Sequence, residues 1–331
     1  MKGARFPGVL AFVSAAWLGA ATASIAASPS ISKTTWRGFA AYELTDGRTK
    51  AVAVPELGGR VVFYGRIDGP NFLWVGEPGL EREADALMWG GDKAYIGPHT
   101  MWHFTQPTMW PPPSPNTAPQ EVTVTGATLR MVSPPWPGYG VRLIREIAYD
   151  PSGSGELVFK HTVEKAAADN ATLAAVWTIT QAAPGDVYIP LNPQSPYKGN
   201  AFWFGSGIDP QRLGATALSD SLLRIRPVSG AGFKLGSSPG KPALLSIKAG
   251  VAFLERADPQ DGQYPEGADN AGLSVEVYHH DLPAPKEYVE LEFLSPLRRI
   301  DQGATLTTRW SLQDLPKDAD LATAAGALLN R

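Results

Sequence analysis

Two short runs near the C-terminal end carry the residue pattern best suited to chemistry. Glu276, Tyr278 and His280 alternate with Val275 and Val277, and Tyr288, Glu290 and Glu292 alternate with Val289, Leu291 and Phe293. Alternation at period two places each polar set on one face of a strand. The segment Asp281 to Lys286 is short enough to fold the second strand back beside the first, so that the two polar faces become coplanar. A carboxylate presented in this way can take the proton of a sugar's anomeric hydroxyl, and a nearby imidazole can return one, which is general acid–base chemistry. Glu292 lies deeper along its strand, toward Pro296, and is the expected base, with His103 or His280 as the acid. The competing reading is a solvated outer face whose glutamates serve solubility.

A second concentration of chemistry runs from Gly90 to Trp110, where Asp92, Lys93, Tyr95, His99, Trp102, His103, Gln106 and Trp110 fall within one predicted loop. The C–H faces of a pyranose pack on indole rings, and its hydroxyls need directional polar partners. The expected ligand contacts are Asp92, Lys93, His99, Trp102 and Trp110, joined by Arg60, Gln181, Tyr278 and Glu290 from predicted strands. The alternative is a loop that caps the fold with its aromatic rings buried. His99 and His103 have the i,i+4 spacing of a helical metal pair, but Pro98 and Pro107 flank them and Thr100 stands where a zinc protease would need Glu. No metal and no cofactor are expected.

Other motifs carry less. His161, between Phe159 and Val163 on an apolar face, reads as a satisfied core histidine. Gly236 to Gly240 matches G-x-S-x-G, but it joins two short strands rather than a strand and a helix, which is the wrong setting for a nucleophile elbow. The acidic residues Asp258, Asp261, Glu266 and Asp269 lack calcium-loop spacing.

These residues must be positioned by strands. Period-two apolar runs recur from Trp36 to Leu44 through Arg60 to Arg66, Glu121 to Met131, Val141 to Tyr149, Ala171 to Gln181 and on to Thr305 to Leu312, with turn residues between them. Gly58-Gly59 predicts a tight connection between two strands, and Asp68-Gly69 the next turn. Only Gly79 to Leu87 and Lys317 to Leu329 have helical spacing. No fixed-period repeat suggests a propeller or solenoid. An all-β fold follows, as two large packed antiparallel sheets or a closed barrel, with few short helices.

Composition agrees. The 331 residues include 34 Gly and 30 Pro, yet 44% are hydrophobic, the balance of a turn-rich β protein rather than a disordered chain. There is no Cys, so an ordinary core must supply the stability. Lys2 and Arg5 precede an apolar run from Pro7 to Ala21 and small-residue cleavage sites, the pattern of a secretory leader over 1–23, with cleavage as late as 27. Its removal leaves 27 basic against 32 acidic residues, which excludes a nucleic-acid footprint. The expectation is a periplasmic or secreted monomer with no membrane insertion after cleavage, one domain over 30–315 and a helical tail over 316–331.

The order of several segments adds a resemblance. PELGGRVVFYGRIDGPNFLWV from Pro55, WGGDK from Trp89, WPPP from Trp110, WTITQ from Trp177 and YVELEFLSPLRRIDQGATLTTRWSL from Tyr288 are spread over most of the chain, roughly Trp36 to Leu312. The set resembles an uncharacterised bacterial family of the galactose mutarotase-like, or aldose 1-epimerase-like, superfamily. That resemblance implies a β-supersandwich whose concave sheet binds a carbohydrate. It aligns Glu290 and Glu292 with the late-strand Glu of aldose 1-epimerases, and His99 or His103 with their early His. The middle-strand His has no counterpart in WTITQ. The implied function is an exported carbohydrate-recognising protein acting at an anomeric centre. The alternative is a non-catalytic glycan-binding or envelope-associated protein, and a polysaccharide lyase or hydrolase is a weaker third reading.

Overall fold

Strand alternation, broken by glycine turns, builds two open antiparallel sheets. The structure is a computed structural model and describes residues 28–76, 89–97, 118–136, 140–166, 173–265, 272–282 and 286–330. Strands are numbered along the chain. The first sheet starts at β1 (Ser30–Trp36), β2 (Phe39–Thr45), β3 (Thr49–Val54), β4 (Arg60–Arg66) and β5 (Asp92–Gly97). It continues through β10 (Leu173–Ala182), β19 (Val289–Leu294), β18 (Val275–His279), β15 (Phe233–Ser237) and β12 (Phe202–Trp203), with β20 (Arg298–Arg299) also paired to β10.

The second sheet runs β13 (Ala215–Ser219), β14 (Leu222–Ile225), β11 (Asp186–Pro190), β16 (Ala243–Lys248) and β17 (Val251–Ala257). Beyond these lie β21 (Ala304–Asp314), β9 (Leu157–Lys165), β8 (Val141–Tyr149), β7 (Thr128–Val132) and β6 (Glu121–Thr125). Among the described residues the sheets have eleven and ten strands, and their ends do not meet, so the barrel alternative is set aside.

The predicted Gly-Gly connection forms as expected. Pro55–Leu57 makes one 3-10 turn, and Gly58 and Gly59 follow at φ 69° and 67° before β4 begins. A side chain at Gly59 would meet the end of Gln120, whose Nε2 donates to the Gly58 carbonyl at 2.8 Å. The positive φ at both positions is what calls for glycine. Two predicted runs each divide in two. Trp36 to Leu44 breaks at Arg37 and Gly38, and Glu121 to Met131 breaks at Gly126, because these residues take positive φ and fold the chain into hairpins.

The main core lies between the sheets, where Tyr64, Phe159, Phe253 and Trp310 pack together with ring centroids 4.4 to 5.7 Å apart. The C-terminal tail holds a helix, α1 (Leu321–Leu329), started by Asp320, whose Oδ1 accepts from the Ala322 amide at 3.0 Å. Its buried Ala325, Leu328 and Leu329 cover Tyr188, Leu245 and Leu254 on the outer side of the ten-stranded sheet. The expected helix over Gly79 to Leu87 lies outside the described residues, as does the leader. No helix among the described residues is long and apolar enough to cross a membrane.

Candidate functional site

The register of four central strands decides which side chains share a face. Thr180 pairs with Asp92 on one side and Leu291 on the other, while Ile179 pairs with Lys93 and Glu292. Thr180 and Asp92 reach Glu255 and Arg145 of the other sheet, so their parity points into the sandwich. The opposite parity therefore forms the outer face. That face carries Lys93 and Tyr95 from β5, Trp177, Ile179 and Gln181 from β10, and Glu290 and Glu292 from β19. It also carries Glu276 and Tyr278 from β18 and Lys234 from β15.

At its centre two glutamates grip one lysine. Glu276 and Glu292 are directly opposite in register, and Lys234 Nζ lies 2.6 Å from Glu276 Oε2 and 3.2 Å from Glu292 Oε2. Trp177 Nε1 donates to the same Glu292 oxygen at 2.7 Å, and the Lys234 ammonium lies 4.7 Å from the Trp177 ring centroid. Both carboxylates are fully buried. Burial, reinforced by the charges of Glu276 and Glu290, lifts the Glu292 pKa to about 8 against the pull of Lys234 and the Trp177 hydrogen bond. For Lys234, burial disfavours the charge, but the Glu292 and Glu276 carboxylates together outweigh it and raise the pKa. Glu292 Oε1 is buried and makes no hydrogen bond among the described residues. A buried carboxyl oxygen with an open valence is a natural contact for a ligand hydroxyl.

The neighbouring row is a second charge pair. Lys93 Nζ lies 3.3 Å from Glu290 Oε1, which also accepts from Gln181 Nε2 at 2.8 Å. Burial lowers the Lys93 pKa to about 8 despite Glu290. Arg60 is buried nearby, its Nη1 donating to the Gly90 carbonyl at 2.6 Å. Farther along, Tyr288 stacks between Trp74 at 4.6 Å and His280 at 4.8 Å, and burial followed by the Glu290 charge raises the pKa of its phenol. The Tyr278 phenol is pushed up to about 12 by burial and then by Glu290. Burial lowers the pKa of His280. Among the described residues no cluster of three or more His, Asp or Glu could hold a metal.

Neither a family model nor a curated sequence matches this chain. Solved structures do match. A candidate aldose 1-epimerase from Klebsiella pneumoniae superposes with a TM-score of 0.57 at 11% identity, covering 91% of this chain and 88% of that one. The fold is galactose mutarotase-like. A TPR-domain containing protein from Parabacteroides distasonis also matches, with a TM-score of 0.53 at 14% identity. The match covers 85% of this chain but only 48% of that protein, so this chain spans about half the length of that relative.

Within this mutarotase-like sheet the sequence-derived residues sort unevenly. Lys93, Gln181, Tyr278, Glu290 and Glu292 come together on the outer face, with Arg60 buried beside them. His280 shares their side but sits opposite Tyr288, four residues along from the Glu276–Glu292 row, or roughly 13 Å at the strand rise. It is therefore not the immediate partner of Glu292. Asp92 is a correction: it is turned into the sandwich and ion-paired with Arg145, because it begins a buried strand, Asp92–Gly97, where the sequence suggested a loop. His161 is in the core as expected, but its Nδ1 has no hydrogen-bond partner among the described residues, and burial followed by Arg145 holds it neutral. His99, Trp102, His103 and Trp110 lie outside the described residues.

Lys234 was missed by sequence reasoning. Its strand, FKLGS, is short, follows Gly232 and contains Gly236, yet the apolar residues either side of Lys234 were the available sign that it points outward.

Proposed function

We propose that the outer face of the eleven-stranded sheet recognises a carbohydrate and that Glu292 transfers a proton at its anomeric centre. The observation that carries this reading is the open Oε1 of Glu292, a buried carboxyl whose other oxygen is fixed by Trp177 and Lys234. A pKa near 8 keeps this group protonated at neutral pH, so it enters the reaction as the acid rather than as the base that the sequence suggested. Glu290, on the adjacent row, is the candidate acceptor for the anomeric hydroxyl proton, while the Glu292 proton goes to the ring oxygen as its bond to the anomeric carbon breaks. Glu276 and Lys234 hold the donor's geometry. Tyr95, Trp177 and Tyr288 supply rings on the same side for the C–H face of the sugar.

One observation favours recognition without turnover. Ile179 lies between Lys93 and Glu292 in register, so the middle strand presents an apolar side chain at the centre of the face. The test is anomer interconversion across a panel of aldoses, followed by NMR exchange or polarimetry, for the wild type and Glu292→Gln. Transfer through Glu292 predicts a rate loss of roughly 10²–10⁴-fold in the variant with sugar affinity kept. Binding by both proteins with no acceleration over buffer would eliminate turnover and leave the binding protein.

We also propose export to the periplasm or beyond, on the strength of Lys2, Arg5 and the apolar run that follows.

A further inference from the structure

A wide cleft opens at the edge of the sandwich, where the last strands of the two sheets, β12 and β13, lie across from one another. Its volume is about 1080 Å³. Pockets for single small ligands run to about 1,000 Å³, so this cleft has room for several linked rings. One wall carries Tyr197, Phe202 and Trp203, all half-buried, and the other includes the exposed Thr216; Asp209 and Gln211 add polar groups at the rim.

The cleft is joined to the outer-face site by a chain of rings. Tyr197 meets Phe202 at 4.9 Å, Phe202 meets Phe204 edge-on at 4.9 Å, and Lys234 Nζ lies 5.3 Å from the Phe204 ring. Lys234 is the lysine held by Glu276 and Glu292. The aromatic row therefore leads directly from an open cleft to the buried carboxyls.

Resting on the carbohydrate reading above, we infer that the ligand is a chain of several sugar units. Its terminal unit reaches the Glu292 face and the following units lie in the cleft against Tyr197 and Phe202. Half-exposed aromatic rings interleaved with Asp209, Gln211 and Thr216 meet the two requirements of a sugar chain, apolar platforms for C–H faces and directional partners for hydroxyls. An extended peptide fits less well, because strand addition needs a regular free edge of some length: β12 is only two residues long, and the pairing of β13, the other edge, is interrupted by a register shift between Ala217 and Ser219.

The test uses an array of immobilised glycans of one to six units, read with the wild type, Phe202→Ala and Thr216→Trp. Thr216→Trp fills the cleft from an exposed position, so it serves even where Phe202→Ala disturbs folding. The expected result is wild-type binding to chains of three or more units at least roughly ten-fold tighter than to any monosaccharide. Each variant should lose about ten-fold on chains and leave monosaccharide binding unchanged. Equal binding of monosaccharides and chains, untouched by Thr216→Trp, would overturn the chain-binding inference while leaving the sugar site standing. An array with no bound glycan of any length would remove both. Loss of turnover in Glu292→Gln, with chain binding still sensitive to Thr216→Trp, would support both.

Discussion

Replacing Arg145 by methionine is expected to cost about 3–5 kcal/mol of stability, the cost of leaving a buried ion without its partner. Arg145 rises from β8 into the space between the sheets, donating to the Gly59 carbonyl at 2.6 Å and pairing with Asp92. Next to that pair, Thr180 Oγ1 lies 3.1 Å from Asp92 Oδ2 and 3.2 Å from Glu255 Oε1. One hydroxyl proton cannot serve both carboxylates. The pKa of Glu255 is raised well above normal by burial and then by Asp92, which favours its protonated form and so relieves the competition for that one hydroxyl proton. Arg145 is the cation ion-paired with Asp92, and the buried Arg60 adds a weaker attraction. Urea unfolding should show the loss in Arg145→Met, and Arg145→Met/Asp92→Asn should recover at least half of it. A single-variant loss below about 1 kcal/mol would mean that the interior carboxylates do not depend on the guanidinium.

Lys234→Met is expected to cost a similar amount, about 3–5 kcal/mol or roughly 10 °C in Tm at pH 8, and much less at pH 4.5. The sign follows from Glu292. Its folded pKa of about 8 lies above its ordinary value of 4.5, so the native state holds a proton that the unfolded chain releases between those values. The stabilisation linked to that proton is complete below pH 4.5 and is lost as pH rises toward 8. Lys234 limits this loss, since its own raised pKa keeps it charged across the whole window. Without it Glu276 and Glu292 must both be neutral to remain buried, and every unit of pH above 4.5 then works against the fold. Thermal melts from pH 4.5 to 8 should therefore diverge for wild type and variant. Parallel curves would show that Glu276 and Glu292 are not stabilised by this lysine. Lys234→Met combined with Glu276→Gln and Glu292→Gln should flatten the divergence, because no buried carboxylate remains in the cluster.

The late hairpin was legible because its alternation is clean. Glu276, Tyr278, Glu290 and Glu292 fall on one face, as the period-two pattern requires, and the observed register sets Glu276 opposite Glu292. The sheet fold was legible for the same reason, repeated along the chain. DKAYIG was misread because it is buried on both faces and shows no apolar–polar alternation, while Asp and Lys at its start look like surface residues. What makes them interior residues is Arg145, 53 positions away, and Glu290, 197 positions away. Local propensity carries no trace of partners at that distance. Lys234 escaped for a related reason: a five-residue strand that follows Gly232 and itself contains Gly236 has too few positions to establish a period, and its meaning comes from two glutamates on other strands.

Asp92 and Lys93 are neighbours in sequence whose side chains leave the sheet in opposite directions, each toward a charge of the opposite sign. Sliding β5 by one residue against β10 would exchange those directions. The ammonium of Lys93 would then enter the interior beside Arg145, and the carboxylate of Asp92 would turn out toward Glu290, so both attractions would become repulsions in a desolvated setting. The two-residue Asp-Lys sequence thus works as a polarity key for assembly. A misaligned β5 is rejected electrostatically as well as sterically, and only one alignment of the central strands lets the sandwich close.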